Sequence, residues 1–256
     1  MGEHRAESIR EDPDPDTGSA DVIDDAERLI GMAARNNADW CDGFCRLHGI
    51  GGEFRPDAWT SVNRTPRYYP DAVTLARSVE PTQLLPRIDS SSGCSVKDSY
   101  ADLDLAPWGF EVLFDATWFR RAGSSPPDGA GPRGWDLVQD DAGLAAWEVA
   151  WGGDPTRARA FLPGLLARED IAIVEMRVSE AIVAGAILSS AAGVVGLSNV
   201  FVADIDPAEA FAAATEMAGR LWPGRTLVGY QAGAFLDAAI RSGFEAIGPL
   251  VVWLKP

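Results

Sequence analysis

Positive charge is scarce in this sequence: 22 Lys and Arg stand against 38 Asp and Glu, a formal charge of −16. Polyanion binding needs clustered cations that release counterions, so nucleic acid is excluded as a partner. Anionic membrane surfaces are excluded on the same ground. A cationic or amine ligand suits such a field, although acidity also serves solubility alone. Histidine is nearly absent, with only His4 and His48. His4 falls in an acidic leading segment, so no Ser-His-Asp arrangement can be assembled. Cysteine is also sparse. Cys41, Cys45 and Cys94 are an odd number, and Met1 to Asp25 contains no apolar secretion segment. A reducing cytoplasm is the expected compartment. Long apolar runs are missing as well. Ala181 to Ala203 carries no charge, but Ser189-Ser190-Ala191-Ala192-Gly193 interrupts it. Two buried strands joined by a turn are predicted there, not a transmembrane helix.

What is present suffices for a real core: 256 residues, 46% of them apolar. Residues 1–22, with E-D-P-D-P-D-T-G, predict a disordered acidic tail. From Asp25 a helix is expected, carrying Leu29, Ile30, Met32, Ala33 and Ala34 into Trp40, Cys41, Phe44, Cys45 and Leu47. Gly49 and Gly51-Gly52 should end it. Short strands follow at Ala58–Val62 and Ala72–Ala76, split by the turn T-P-R-Y-Y-P-D. A helical turn is expected from Glu80-Pro81. Ser95–Leu105 and Gly109–Phe119 read as a β-hairpin joined through Ala106-Pro107-Trp108. Residues 23–121 thus form an N-terminal α+β subdomain, and 122–134, A-G-S-S-P-P-D-G-A-G-P-R-G, a linker or mobile loop.

Residues 135–256 are more regular. Trp135–Val138 is a short strand, and Asp140 or Asp141 can cap a helix with Leu144, Trp147 and Trp151. Asp154-Pro155 predicts a second helix carrying Phe161, Leu165 and Leu166. Three strands follow at Ile171–Val178, Ala181–Leu188 and Val194–Val202. Asp206-Pro207 then caps a helix with Phe211, Ala214, Met217, Ala218 and Leu221. A strand at Thr226–Tyr230, a helix through Phe235, Leu236, Ala239 and Ile240, and a strand at Leu250–Leu254 close the chain.

This order, with S-N-V-F-V-A-D in the third central strand and A-I-R-S-G-F-E-A-I-G-P-L-V-V-W at the end, resembles the GNAT acyltransferase superfamily. The resemblance covers 135–256. N-N-A-D-W-C and T-P-R-Y-Y-P-D-A-V further upstream resemble divergent members with an extra N-terminal half. It implies an α/β fold, a GNAT-like central mixed β-sheet flanked by helices. It also implies acetyl-CoA held by the third central strand at Val200, Phe201 and Val202. The diphosphate would sit on the next helix at Ala208, Glu209 and Ala210, where free amides and the dipole attract anions. The usual glycine-rich basic loop is replaced by Asp204-Ile205-Asp206-Pro207-Ala208-Glu209-Ala210. Asp206 and Glu209 can there form a capping box, and the carboxylates repel a diphosphate.

In the superfamily a Tyr four residues before the G-F pair protonates the leaving thiolate. Ala239 stands there, and Ala232 matches the Asn commonly found seven residues earlier. Tyr230 could substitute as the acid. Glu175, or a water held by Ser198 and Asn199, could be the base. Set against this, Glu175 also reads as a solvent-facing strand residue and Asn199 as the filler of a strand bulge.

Cys41, Cys45 and His48 lie on one helix face, but a fourth zinc ligand is lacking, and a buried stripe explains them without a metal. Arg64, Arg67, Tyr68 and Tyr69 are the best basic spot, either an anion site or a shaped proline turn. Trp118-Phe119-Arg120-Arg121 reads as a strand end with a solvated tail. Two functions follow: an acyl-CoA-dependent N-acetyltransferase acting on a small-molecule or peptide amine, or a catalytically silent ligand-binding or protein-interaction module. A small-ligand sensor using the Arg64–Tyr69 turn is a third. A homodimer is compatible with either of the first two.

Overall fold

The computed structural model describes residues 17–123, 131–154 and 156–256. The first long element, α1 (Thr17–Leu47), starts eight residues before the expected Asp25. No proline lies between Pro15 and Pro56 to halt it, so the helix continues upstream of its apolar stripe. Most of the expected acidic tail lies outside the described residues. The helix ends at Gly49, whose φ of 76° only glycine adopts without strain.

The strands are β1 (Glu53–Phe54), β2 (Ala58–Thr60), β3 (Ala72–Thr74), β4 (Ser95–Asp98), β5 (Glu111–Arg121), β6 (Trp135–Leu137), β7 (Ile171–Val178), β8 (Ala181–Ala191), β9 (Val194–Val202), β10 (Leu227–Gln231) and β11 (Glu245–Leu254). They form one sheet in the order β1-β2-β3-β4-β11-β5-β10-β9-β8-β7-β6. Among the described residues only β3–β4 and β9–β10 pair in parallel. The remaining helices are α2 (Pro81–Leu84), α3 (Asp141–Trp151), α4 (Pro207–Leu221) and α5 (Gly233–Arg241).

The expected hairpin of Ser95–Leu105 with Gly109–Phe119 does not form. β11 lies between β4 and β5 and pairs with both, Val251 opposite Asp98 on one side and Asp115 on the other. A β-rich pair close in sequence reads as a hairpin, yet nothing local forbids a third strand from entering. Trp118-Phe119-Arg120-Arg121 is correspondingly interior. Trp118 and Phe119 are buried, and Arg120 pairs with Glu245. Most of the expected linker, 124–130, lies outside the described residues, and the strands on both sides of it share the one sheet. The helix expected from Asp154-Pro155 is also absent. Pro155 is outside the described residues, Asp154 accepts from the Thr156 amide at 2.9 Å, and Leu165 is buried on a 3-10 turn, Pro163–Ala167.

Helices α1 and α3 cover one face of the sheet, and α4 with α5 the other. The α4 face packs Phe119, Leu197, Phe211, Met217, Leu227 and Phe244. The opposite face holds two groups: Trp40, Phe44, Trp147, Phe161 and Ile187 under α1 and α3, and Ile30, Ala34, Trp118, Val228 and Val252 under α1. The uncharged run behaves as expected, β8 and β9 meeting through Ala192 and Gly193 at φ 51° and 78°. Gly196 lets α1 approach, since a Cβ there would strike the buried Asn36 carboxamide. Asn36 Nδ2 donates to the Ser189 carbonyl at 2.8 Å and Ser189 Oγ to Asn36 Oδ1 at 3.2 Å, fixing α1 over β8 and β9.

Candidate functional site

Strands β9 and β10 pair at Val195–Leu227, Gly196–Val228 and Leu197–Gly229, and no further. Both continue, to Val202 and Gln231. On its other edge β9 slips against β8, so that Asn199 and Val200 together face Ala186. Asn199 sits at φ 52°, a left-handed conformation that Asn tolerates better than most residues. Such a bulge bends its strand and raises its twist, which accounts for the parting from β10. The bulge expected at Asn199 is therefore what opens the cleft.

Between α1 and the parted strands lies a cavity of about 280 Å³. Asn37, Trp40 and Cys41 roof it, and Ser198, Asn199, Val200 and Tyr230 form its floor. A second cavity of about 490 Å³ is walled by the 64–70 turn, by Leu113 and Phe114 of β5, and by Val252 and Leu254 of β11. Tyr68, Tyr69, Pro70, Lys97 and Tyr230 border both. Tyr68 holds φ 76° with its ring edge-on to Trp151 at 5.4 Å, while Tyr69 stacks on Phe44 at 3.7 Å. The Tyr69 hydroxyl is buried beside Trp40 without a well-formed hydrogen bond.

Tyr230 stands against Trp118, edge to face at 5.3 Å. Its hydroxyl accepts from Lys97 Nζ at 2.9 Å, and the same ammonium donates to Asn37 Oδ1 at 2.7 Å. Lys97, on β4, is only 4% exposed. Cys41, next to Asn37, is buried, and burial pushes its thiol up to about 11.

The structure brings Tyr230, Asn199 and Val200 to one cleft. Ser198 Oγ accepts from Asn199 Nδ2 at 3.1 Å, and both line it. Phe201 instead packs against Trp147 at 5.2 Å, and Val202 pairs with Ala184 at the far end of β9. Glu175 borders neither cavity, and it does not face solvent. It is 8% exposed and binds Arg177, Nε to Oε1 2.6 Å, on β7. Strand alternation turned that carboxylate toward the sheet face under α3, and burial there requires a charged partner.

The start of α4 is acidic and self-satisfied. Asp206 caps it, accepting from the Ala208 amide at 2.9 Å, and the Glu209 amide donates to the Asp206 carbonyl at 2.9 Å. Pro207 has no amide hydrogen, and Ala210 is buried. Instead of the expected capping box, the second partner of the Asp206 carboxylate is Arg241 at 2.9 Å. The returning α5 brings that guanidinium to the same Oδ1 that accepts from the Ala208 amide. Asp204 adds a φ of 63° and an exposed carboxylate.

His48 Nε2 bonds the Ala160 carbonyl at 2.8 Å, away from Cys41 and Cys45, and burial raises the Cys45 thiol to about 12. Arg64 is spent on Asp71 at 2.7 Å and on the carbonyls of Asp89 and Ser91. The charged group that sequence reasoning missed is Lys97. Its signal was available: the chain holds only two lysines, and this one interrupts a buried strand.

No family model matches this sequence, and no curated protein matches it closely enough to count. Solved structures do. A GCN5-related N-acetyltransferase from Kribbella flavida superposes with a TM-score of 0.56 at 18% identity, over 88% of this chain and 95% of its own. A protein from Novosphingobium aromaticivorans, described as a putative acetyltransferase from the GNAT family, gives 0.55 at 12% identity, over 85% and 96%. A Drosophila protein gives 0.51 at 13%, over 96% and 98%. These likenesses span both halves of the chain, and at such identities they establish a fold: this protein is built as a GNAT-like mixed sheet, flanked by helices, with two parallel strands parted at its centre.

Proposed function

We propose that this protein is an acetyl-CoA-dependent N-acetyltransferase acting on a small-molecule or peptide amine by direct attack on the thioester. The observation that carries the reading is the parting of β9 from β10 beyond Leu197–Gly229, with the Tyr230 hydroxyl at its border. Strand edges left without a β10 partner over 198–202 offer amides and carbonyls to an amide-bearing arm. The cofactor, when bound, supplies an activated acyl carbon.

The chain's own groups do the rest. An ammonium can only donate, so Tyr230 must accept from Lys97 and keeps its own hydrogen for another acceptor. That hydrogen is the proton available to a leaving sulfur, with the Lys97 charge beside the oxygen that gives it up. Asn199 donates to Ser198 Oγ, which leaves the Ser198 hydrogen to hold a water. Through that water the amine's proton can pass to solvent. Glu175 takes no part. Three free, buried thiols suit the reducing cytoplasm in which we place the protein. Among the described residues no helix is long and apolar enough to cross a membrane.

The fit to the cofactor is confined to the strand cleft. At the start of α4 the amides of Ala208 and Glu209 are engaged and Pro207 has none, so a diphosphate finds no free donor there. Binding weaker than the fold suggests is expected. That helix start also favours the second reading, a non-catalytic ligand-binding module. Calorimetric titration with acetyl-CoA decides: saturable heat in the micromolar to millimolar range supports the transferase, and none at millimolar cofactor overturns it.

A further inference from the structure

The whole molecule is acidic, yet among the described residues no Asp or Glu borders the two cavities on either side of Tyr230. Their ionic side chains are Lys97, Arg64 and Arg67. Arg64 is neutralised by Asp71 and Asp89. Arg67, at the mouth of the larger cavity, lies over the Tyr68 ring at 4.8 Å. Lys97 is the unusual group. Buried charges are normally paired, because removing an unpaired ion from water is costly. Among the described residues its partners are all neutral: Asn37 Oδ1, the Tyr230 hydroxyl and the Tyr230 ring face at 4.4 Å. Of three ammonium hydrogens, two are used. A buried cation at a cavity wall, with one donor to spare and no counter-charge, is an incomplete ion pair.

We propose that a ligand carboxylate completes it, and that the amine acceptor is therefore an amphipathic, carboxylate-bearing compound. Its carboxylate takes the remaining hydrogen of Lys97, and Tyr69, which borders the same cavities and whose buried hydroxyl lacks a well-formed hydrogen bond, is the second donor. Its apolar body lies in the larger cavity against Leu113, Phe114, Val252 and Leu254, with Arg67 at the entrance. The inference reverses the expectation drawn from net charge: the field of the whole surface favours a cation, whereas the pocket is built for an anion. It rests on the transferase reading only for the ligand's role as acceptor. Carboxylate binding itself requires no cofactor.

The test is binding to the full chain without acetyl-CoA, using three probes of one shape: phenylacetate, phenylacetamide and phenethylamine. Phenylacetate should bind about tenfold or more tightly than the amide, the scale of a charge-assisted hydrogen bond. Lys97→Met should abolish the preference, and Lys255→Met should keep it. Because Lys97→Met removes a buried group and can fail to fold, the unmutated protein provides a second measurement. With 13Cε-lysine there are two side-chain signals, and phenylacetate should move that of Lys97 and leave Lys255 in place. Equal binding of phenylacetate and phenylacetamide, tighter binding of phenethylamine, no binding of phenylacetate, or an unmoved Lys97 signal would each overturn the proposal. Acetyl-CoA failing to bind while phenylacetate binds through Lys97 would sink the transferase reading and leave this one standing.

Discussion

Two regions beside the parted strand β9 meet opposite needs in opposite ways. At its exit, the start of α4 satisfies itself from neighbours in sequence. Asp206 takes the Ala208 amide, Pro207 removes a donor, and Asp204 and Glu209 surround the helix end with negative charge. In the cavity toward Tyr230, the chain leaves an ammonium with neutral partners and a tyrosine hydroxyl without a well-formed hydrogen bond. The first region is stable as it stands and repels an anion. The second is unfinished and attracts one. A ligand is more informative to seek where the protein has left a polar group unsatisfied than where a fold usually keeps one.

The largest expected effect tests the unfinished region. Tyr230→Phe keeps the ring on Trp118 and removes the proton, so turnover should fall about 100-fold, the lower range for a general acid, with acetyl-CoA affinity nearly unchanged. Initial rates and calorimetry on the same preparation separate the two. Unchanged turnover would remove Tyr230 from the chemistry and weaken the contrast.

A smaller effect is expected at the helix start. Reversing both exposed charges, Asp204→Arg with Glu209→Arg, should tighten acetyl-CoA binding roughly five- to tenfold at low salt, and less at high salt. An affinity that ignores both charge and salt would mean that the diphosphate lies elsewhere.

The smallest concerns Asp206. The Ala208 amide, then the Arg241 charge, hold its carboxyl below the ordinary 3.8. A depressed folded value contributes stability that is complete above the unfolded pKa and lost as pH falls through the folded one. Asp206→Asn, which keeps a capping oxygen, should flatten the acid side of a plot of thermal midpoint against pH. Identical slopes in both proteins would assign that dependence to other carboxylates.

Much of the downstream half was legible because its signals are local. Asp140 caps α3 by accepting from Gly143 at 2.7 Å, β7 and β9 occupy the expected residues, and Gly243 stops α5 at φ 89°. Turn chemistry and periodicity are properties of adjacent residues, and they survive folding unchanged. Legibility failed where a distant element intervened. β11 entered between β4 and β5, Arg241 came back from α5 to the Asp206 carboxylate, and Arg177 claimed Glu175. Each needed a partner that sequence distance conceals.

The candidate site divides in the same way. Tyr230 at a strand end and Asn199 in a bulge were legible from strand pattern, and the family resemblance put both beside the cleft of β9 and β10. Sequence alone determined the acidic, glycine-free start of α4. Only tertiary structure decided that Lys97, 133 residues from Tyr230, would touch its hydroxyl. Only tertiary structure, too, kept the carboxylates of the described residues away from both cavities in so acidic a chain. The reason is that net charge is a sum over the chain, while the charge of a pocket depends on which few side chains the sheet order turns toward it.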